Sequence, residues 1–360
     1  MPTESTGPTL TAVTRVGRQV VKFGLISLVT LMVGRIVVGT VVDYWRATHP
    51  EPPPPPTVGF GVLPALQFPL QTEEDKPQSY VLEAASSKIP DFGDRAKVYF
   101  MPRSAANLLA DDEAKVIAAK YGFVFEPEVI DERTYRWTKT KPLNSTLEMD
   151  IFNHSFSLTT DYLSHPELLV DNVLPTGFEA VQRVKSFLSS AELLPTDTAT
   201  ASGEILPLVS LGGSLGKAVS VSEADYLQVD ITRTPINSEF RMYTPEGLKG
   251  TISAIMTGNL NGQESIVHLD FNHYPVDYSQ VHTYPIRTTQ SAWQLMQAGE
   301  GYIVDKGEND RAVVRTVKLG YYDDFEEQEY LQPVYIFEGD GGFIGYVSAL
   351  DPKFQQPNNK

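Results

Sequence analysis

An α+β fold held at a membrane by one N-terminal helix is the architecture this sequence predicts, on three observations. Phe23 to Val42 is a single, almost wholly apolar run. Beyond it, short segments with helical apolar spacing, each closed by glycine, precede runs that alternate apolar and polar residues. The chain never settles into the strand–helix–strand order of a parallel sheet, so its helices gather on one face of antiparallel sheets. The composition of the 360 residues, 41% hydrophobic and 21% charged, excludes collagen, coiled coil and polytopic membrane protein. A formal charge of -16 repels phosphate backbones and makes nucleic acid a poor partner. With no cysteine there is no disulfide, no thiol nucleophile and no cysteine-based metal site, and the six histidines are the only neutral-pH bases.

Residues 1–22 read as a cytoplasmic tail and 23–45 as a transmembrane helix, since about twenty apolar residues cross a hydrocarbon core of about 30 Å. Arg15, Arg18 and Lys22 precede the span with only Glu4 against them, and Tyr44 and Trp45 sit at its far end as interfacial aromatics. The positive-inside rule then puts the N-terminus in the cytoplasm of a cell-membrane protein and the remaining domains outside. Beyond Arg46 the chain carries 24 basic and 43 acidic residues, a balance of -19 that agrees with export. The apolar run is long for a cleaved signal peptide, and no A-x-A-like site follows it. Arg35 is discordant, because a cation at mid-span costs about 2.5–3.5 kcal/mol. It is a candidate contact for an acidic group on a partner helix, with Gly34 and Gly39 permitting close approach. Residues 46–78 read as a proline-rich stalk around Pro52 to Pro56, extended as polyproline II.

A helix followed by strands then recurs three times, giving units at 79–175, 176–287 and 288–351 before a disordered tail at 352–360. In the first, Leu109, Val116 and Ile117 share a helical face and Gly122 ends the helix. Tyr135 and Trp137, then Leu147, Met149 and Ile151, then Phe156 and Leu158 alternate as strand residues. The second opens on Thr176, whose spacing to Glu179 is a capping box, with Phe178, Val181, Val184 and Leu188 as the buried stripe. Strands follow around Tyr226 to Ile231, Thr251 to Met256 and Val267 to Phe271. The third places Ala292, Leu295 and Met296 on a helix ending near Gly299, then strands over Val313 to Leu319, Val334 to Phe337 and Phe343 to Val347, with Gly341-Gly342 as a hairpin turn.

The stretch from His282 through Tyr284-Pro285-Ile286, Ala292-Trp293 and Gly299-Glu300-Gly301, with Leu319-Gly320-Tyr321-Tyr322 and Leu331-Gln332-Pro333-Val334-Tyr335-Ile336-Phe337, resembles PepSY-type domains. The tandem arrangement is similar to the YycH and YycI class of single-pass, membrane-anchored regulators, and similar spacing recurs around Asp112 to Leu158. The resemblance implies non-catalytic modules that bind and restrain a partner protein, a protease or a sensor kinase, at the outer side of the membrane. The segment from Leu193 to Gly216 and the proline stalk depart from that pattern.

No catalytic residue and no cofactor is assigned. His268 and Asp270 share one face of a strand and are weak metal candidates, whereas the two-residue period sends His273 to the other face. Asp323 and Asp324, with Glu326, Glu327 and Glu329, form an acidic cluster that reads as a solvated loop, with a cation site or a docking patch for a basic partner as the sharper alternatives. Gly212-Gly213-Ser214-Leu215-Gly216 matches G-x-S-x-G, but the β-branched residues after it suit a glycine-rich loop better than a nucleophile elbow. The function read from these features is a membrane-anchored binding or regulatory protein, touching the bilayer through residues 23–45 and a protein partner outside it. The alternatives are an envelope hydrolase using Ser214 or a His/Asp site, and a structural component of a surface assembly.

Overall fold

The computed structural model describes residues 10–48, 54–83 and 89–357, and the chain divides into two compact units, Met1–Pro55 and Pro56–Lys360. The first unit holds helix α1, Leu10–Thr48, so residues 10–22 continue the helix where a tail was expected. Within it Val20–Trp45, 26 residues of mean hydropathy 2.2, is long and apolar enough to cross a membrane, and its side chains are exposed. The two threonines of this stretch fold their hydroxyls back on the helix, Thr30 Oγ1 donating to the Ile26 carbonyl at 2.8 Å and Thr40 Oγ1 to that of Val37 at 2.9 Å. Polar groups inside an apolar span are thereby satisfied without water.

The second unit is mixed α+β, as expected, and is built on two sheets. Nine antiparallel strands form the first, in the spatial order Glu128–Val129, Thr134–Lys139, Ser145–Asp150, Phe156–Thr160, Ile266–Phe271, Ile252–Met256, Tyr226–Ile231, Glu204–Leu211 and Ser214–Lys217. Helices α2, Ala110–Lys120, and α3, Gly177–Ser190, share one buried cluster with it, and Tyr121 at the end of α2 stacks on Phe187 of α3 with ring centroids 4.1 Å apart. Leu147, Leu158, Val229 and Leu269 are fully or nearly fully buried beneath the helices. Burial of each such side chain contributes about 1.5–3 kcal/mol.

The eight-stranded sheet runs Ser79–Leu82, Arg311–Tyr322, Tyr330–Gly339, Ile344–Ser348 and Tyr302–Asp305, with Met242–Tyr243, Arg95–Phe100 and Asp277–Pro285 branching from it. Helix α4, Thr289–Gln297, closes this sheet's core through Ala292, Trp293 and Met296.

The local signals for the helices are realised in the backbone. Glu179 N donates to Thr176 Oγ1 and Thr176 N to Glu179 Oε2, completing the capping box of α3, while Gly122 and Gly299 take left-handed φ of 84° and 75° after α2 and α4. The buried faces differ from expectation in detail. Phe178 is 75% exposed, and α3 buries Ala180 and Phe187 beside Val181, Val184 and Leu188. Leu109, just before α2, and Val116 on it face solvent, and small Ala110, Ala114 and Ala118 with Ile117 make the contact.

The three-unit division is redrawn by the pairing. The strands after α2 and those after α3 merge at one seam, where Phe156–Thr160 pairs with Ile266–Phe271, so the first two recurrences form one sheet. Ser79–Leu82 and Arg95–Phe100, expected in the first unit, pair with Arg311–Tyr322 and Asp277–Pro285 instead. Periodicity shows that a segment is a strand but carries no information on its partner.

The stalk is shorter than 46–78. Residues 49–53 lie outside the described residues, and from Thr57 onward the chain packs on the eight-stranded sheet. Val58 N donates to the Thr283 carbonyl at 3.1 Å, Leu63 and Leu66 are buried, and Phe68 stacks on Tyr302 at 5.1 Å. Residues 352–357, expected to fray, are held there too, with Leu63 N donating to the Phe354 carbonyl at 2.8 Å and Gln356 N to that of Leu63 at 2.7 Å; residues 358–360 lie outside the described residues. Apolar side chains at Phe60, Leu63, Leu66 and Phe354 supply the burial that a bare polyproline spacer lacks.

Gly258 tests the close packing. A Cβ there would meet the Val173 carbonyl oxygen at 2.0 Å, so Gly258→Ala is expected to lower stability by about 1–3 kcal/mol, whereas Gly262→Asn, in open space at a φ of 61° that Asn tolerates, should change it by less than about 1 kcal/mol. Urea unfolding followed by tryptophan emission measures both.

Candidate functional site

Four chain segments converge on Arg233 where the two sheets meet. Arg233 lies two residues beyond strand Tyr226–Ile231 and His273 two beyond Ile266–Phe271, while Asp197 comes from the loop after α3 and Asp323 directly follows Arg311–Tyr322 of the other sheet. Arg233 is 1% exposed and Asp323 equally so. The guanidinium grips Asp323 with a two-point fork, Nε donating to Oδ2 at 2.9 Å and Nη2 to Oδ1 at 3.2 Å. Nη1 donates to Asp197 Oδ2 at 2.6 Å and lies 2.9 Å from His273 Nε2, and Nη2 donates to the Tyr274 carbonyl at 2.5 Å. Each of the five N–H groups of arginine therefore has an acceptor within reach.

His273 Nε2 is also 3.0 Å from Asp197 Oδ1. It can accept from Arg233 or donate to Asp197, but not both. The other ring nitrogen lies 3.4 Å from Thr251 Oγ1, and the Tyr278 hydroxyl donates to Asp197 Oδ2 at 2.9 Å. Burial, reinforced by the Arg233 charge, lowers the His273 pKa against the pull of Asp197. Burial opposes ionisation of Asp197, yet His273 and Arg233 together outweigh it and hold the carboxyl below its ordinary range. Burial raises the Tyr278 pKa, and the neighbouring Asp197 charge adds to it. With His273 neutral, one guanidinium faces two carboxylates, so the buried cluster keeps a net negative charge.

The cluster borders a cleft of about 390 Å³ whose lining includes Asp197, His273 and Tyr278 with Leu193, Leu194 and Val276. Perturbed titratable groups beside a mixed polar and apolar cleft at a junction are the usual mark of a binding site.

The acidic stretch is not a solvated loop throughout. Asp323 is the buried partner of Arg233, Glu327 accepts from the Ser104 amide at 2.8 Å and Glu329 pairs with Arg103 at 3.0 Å. Burial pushes Asp324 up to about 6, backbone N–H groups of Glu326 and Phe325 opposing and the charges of Glu326 and Asp323 adding. His268 Nε2 and Asp270 Oδ2 lie 3.1 Å apart on one strand face, and Ser157 Oγ donates to Asp270 Oδ1 at 2.8 Å. Among the described residues no group of three or more His, Asp or Glu is placed to hold a metal ion.

Ser214 begins a strand rather than a helix, and its Oγ donates to the Leu211 carbonyl at 2.9 Å across the turn made by Gly212 and Gly213. The backbone there is a hairpin and not a nucleophile elbow. Arg35 lies exposed on α1 and forms no ion pair among the described residues. The residues that sequence reasoning missed are Arg233, Asp197 and Tyr278; Arg233 stands 36 positions from Asp197 and 90 from Asp323, and no local pattern links them.

No family model matches the chain, and no curated protein matches it. Among solved structures it is similar to the Bacillus megaterium YpeB C-terminal domain, with 11% identity and a TM-score of 0.31 over 69% of this chain and 100% of that one.

Removing Arg233 leaves Asp197 and Asp323 buried without their cation. Arg233→Met is expected to cost about 3–5 kcal/mol in urea unfolding. Arg233→Met combined with Asp323→Leu should cost less than the sum of the single changes, by about 0.5–3 kcal/mol of coupling.

The pH dependence has two opposing parts. His273 has a folded pKa below the 6.5 of the free side chain, so its contribution is present above 6.5 and is lost as pH falls toward the folded value. Asp324 rises from 3.8 to about 6, so its contribution is present below 3.8 and is lost as pH rises through about 6. Stability of the wild type minus that of His273→Gln should therefore fall on acidification below 6.5, and wild type minus Asp324→Asn should fall between pH 4 and 7. Urea midpoints taken across pH 4 to 8 separate the two.

Proposed function

We propose that this protein is a single-pass, membrane-anchored binding or regulatory protein whose α+β unit works outside the cytoplasm by contact with a protein partner and performs no catalysis. The observation that carries the reading is α1: Val20–Trp45 is apolar and exposed along its length, with Arg15 and Arg18 before it and Lys22 in its first turn, while the rest of the chain is strongly acidic. A retained span raises the effective concentration of the folded unit near other membrane proteins. The recurrence of helix and antiparallel strands supports the likeness to PepSY-type modules, and with it a role as modulator of an envelope protease or sensor kinase. Support for a non-catalytic role comes from the hairpin at Ser214 and from the absorption of Asp323 and His273 into a buried ion network.

Fusions at the C-terminus test the topology. Alkaline phosphatase should be active there and green fluorescent protein dark, and the mature chain should keep its N-terminal helix in the membrane fraction. Fluorescence in the cytosol, or a soluble product lacking the helix, overturns the proposal. Arg35→Leu then probes the span: in-cell crosslinking should lose at least one partner if Arg35 pairs within the bilayer, and an unchanged partner set removes that contact.

A further inference from the structure

We infer, taking the binding function proposed above as given, that the cleft beside Arg233 receives the basic side chain of the protein partner, a guanidinium or ammonium on an aliphatic stem. The cleft joins two unlike surfaces. Leu193, Leu194 and Val276 give it apolar walls, while Asp197 and Tyr278 give it a polar end. Asp197 Oδ2 is engaged by Arg233 and Tyr278, and among the described residues Oδ1 meets only His273, so at least one of the roughly four acceptor positions of the carboxylate stays open whichever way the His273 proton lies. Its side chain is 15% accessible, enough for a donor to reach it.

Charge selects the occupant. Arg233 is outnumbered by Asp197 and Asp323, so a positive group at the cleft completes the neutralisation that the interior leaves unfinished. An anionic side chain would face that excess directly, and a wholly apolar one would desolvate Asp197 without replacing its hydration. Tyr278, 40% exposed, offers an aromatic ring to a cation beside Asp197. A long aliphatic stem lies along the leucines while its charged head meets the carboxylate, the arrangement that lysine and arginine adopt at apolar surfaces. The net charge of -16 steers basic partners toward the molecule in the same sense.

The full-length chain in nanodiscs, probed by saturation-transfer NMR at pH 7, tests the site with two matched compounds, N-acetyl-arginine methylamide and N-acetyl-norleucine methylamide. Transfer to the arginine δ-methylene is expected to be at least fivefold stronger than to the norleucine chain. It should drop at least fivefold in Leu194→Trp and in Val276→Trp, either of which fills the cleft without touching the Arg233 network, with thermal unfolding confirming that the variant is folded. No transfer to the arginine probe overturns the site, and so does equal transfer to both compounds, which marks a merely apolar hollow. Transfer unchanged in a folded cleft-filling variant also overturns it, since binding is then to the acidic surface at large. These outcomes are independent of the topology fusions, so a failure of the cleft and a failure of the anchored binding function are told apart.

Discussion

A single guanidinium held at all three of its nitrogens is the constraint on which the arrangement of the two sheets depends. Arg233 leaves one sheet and Asp323 leaves the other, and their forked pairing fixes both distance and orientation as a lone point charge does not. Buried ion pairs add little net stability, because desolvation of the charges cancels most of their attraction. What such a pair enforces is register, since a docking of the sheets that parts Asp323 from Arg233 strands the Asp323 carboxylate in the interior. The demand for a neutral His273 extends the constraint to the second strand end on the same side.

Chain tracing reinforces that junction. Met242–Tyr243, which lies between strands of the nine-stranded sheet in sequence, crosses to pair in parallel with Tyr321 and Tyr322, directly before Asp323. Arg95–Phe100 precedes α2 yet pairs with Asp277–Pro285. The eight-stranded sheet therefore draws on chain from both sides of the stretch 128–271 that holds the nine-stranded one, and Met242–Tyr243 crosses to it from within that stretch. The cleft is shaped between them by the loop after α3 and the segment leading into Asp277–Pro285.

How much of this was legible follows from the range of each interaction. Thr176 with Glu179, Gly122, Gly299 and the alternation of Leu147, Met149 and Ile151 act within a few residues, and the sequence displays them directly. The apolar stripe containing Phe178 was misread because periodicity counts side chains without knowing where the sheet ends. Val116 was misread because alanines, weak as hydrophobic signals, make the true contact of α2. The Arg233 cluster left no trace, since an arginine in a polar loop looks solvated until residues 40 and 90 positions away close over it. Asp323 misled for the same reason: a run of acids suggests water, and only tertiary closure separates the one that is dry.

The clamp formed by residues 57–68 has a mechanical consequence. A pull along the chain arriving at Pro56 is met first by Thr57 and Val58 bonded to Thr283, and then by Leu63 lying parallel to Gln355 with bonds on both sides of it. Force entering from that end therefore falls on the sheet edge at Thr283 and then on the Leu63 pairing before it reaches the junction at Arg233.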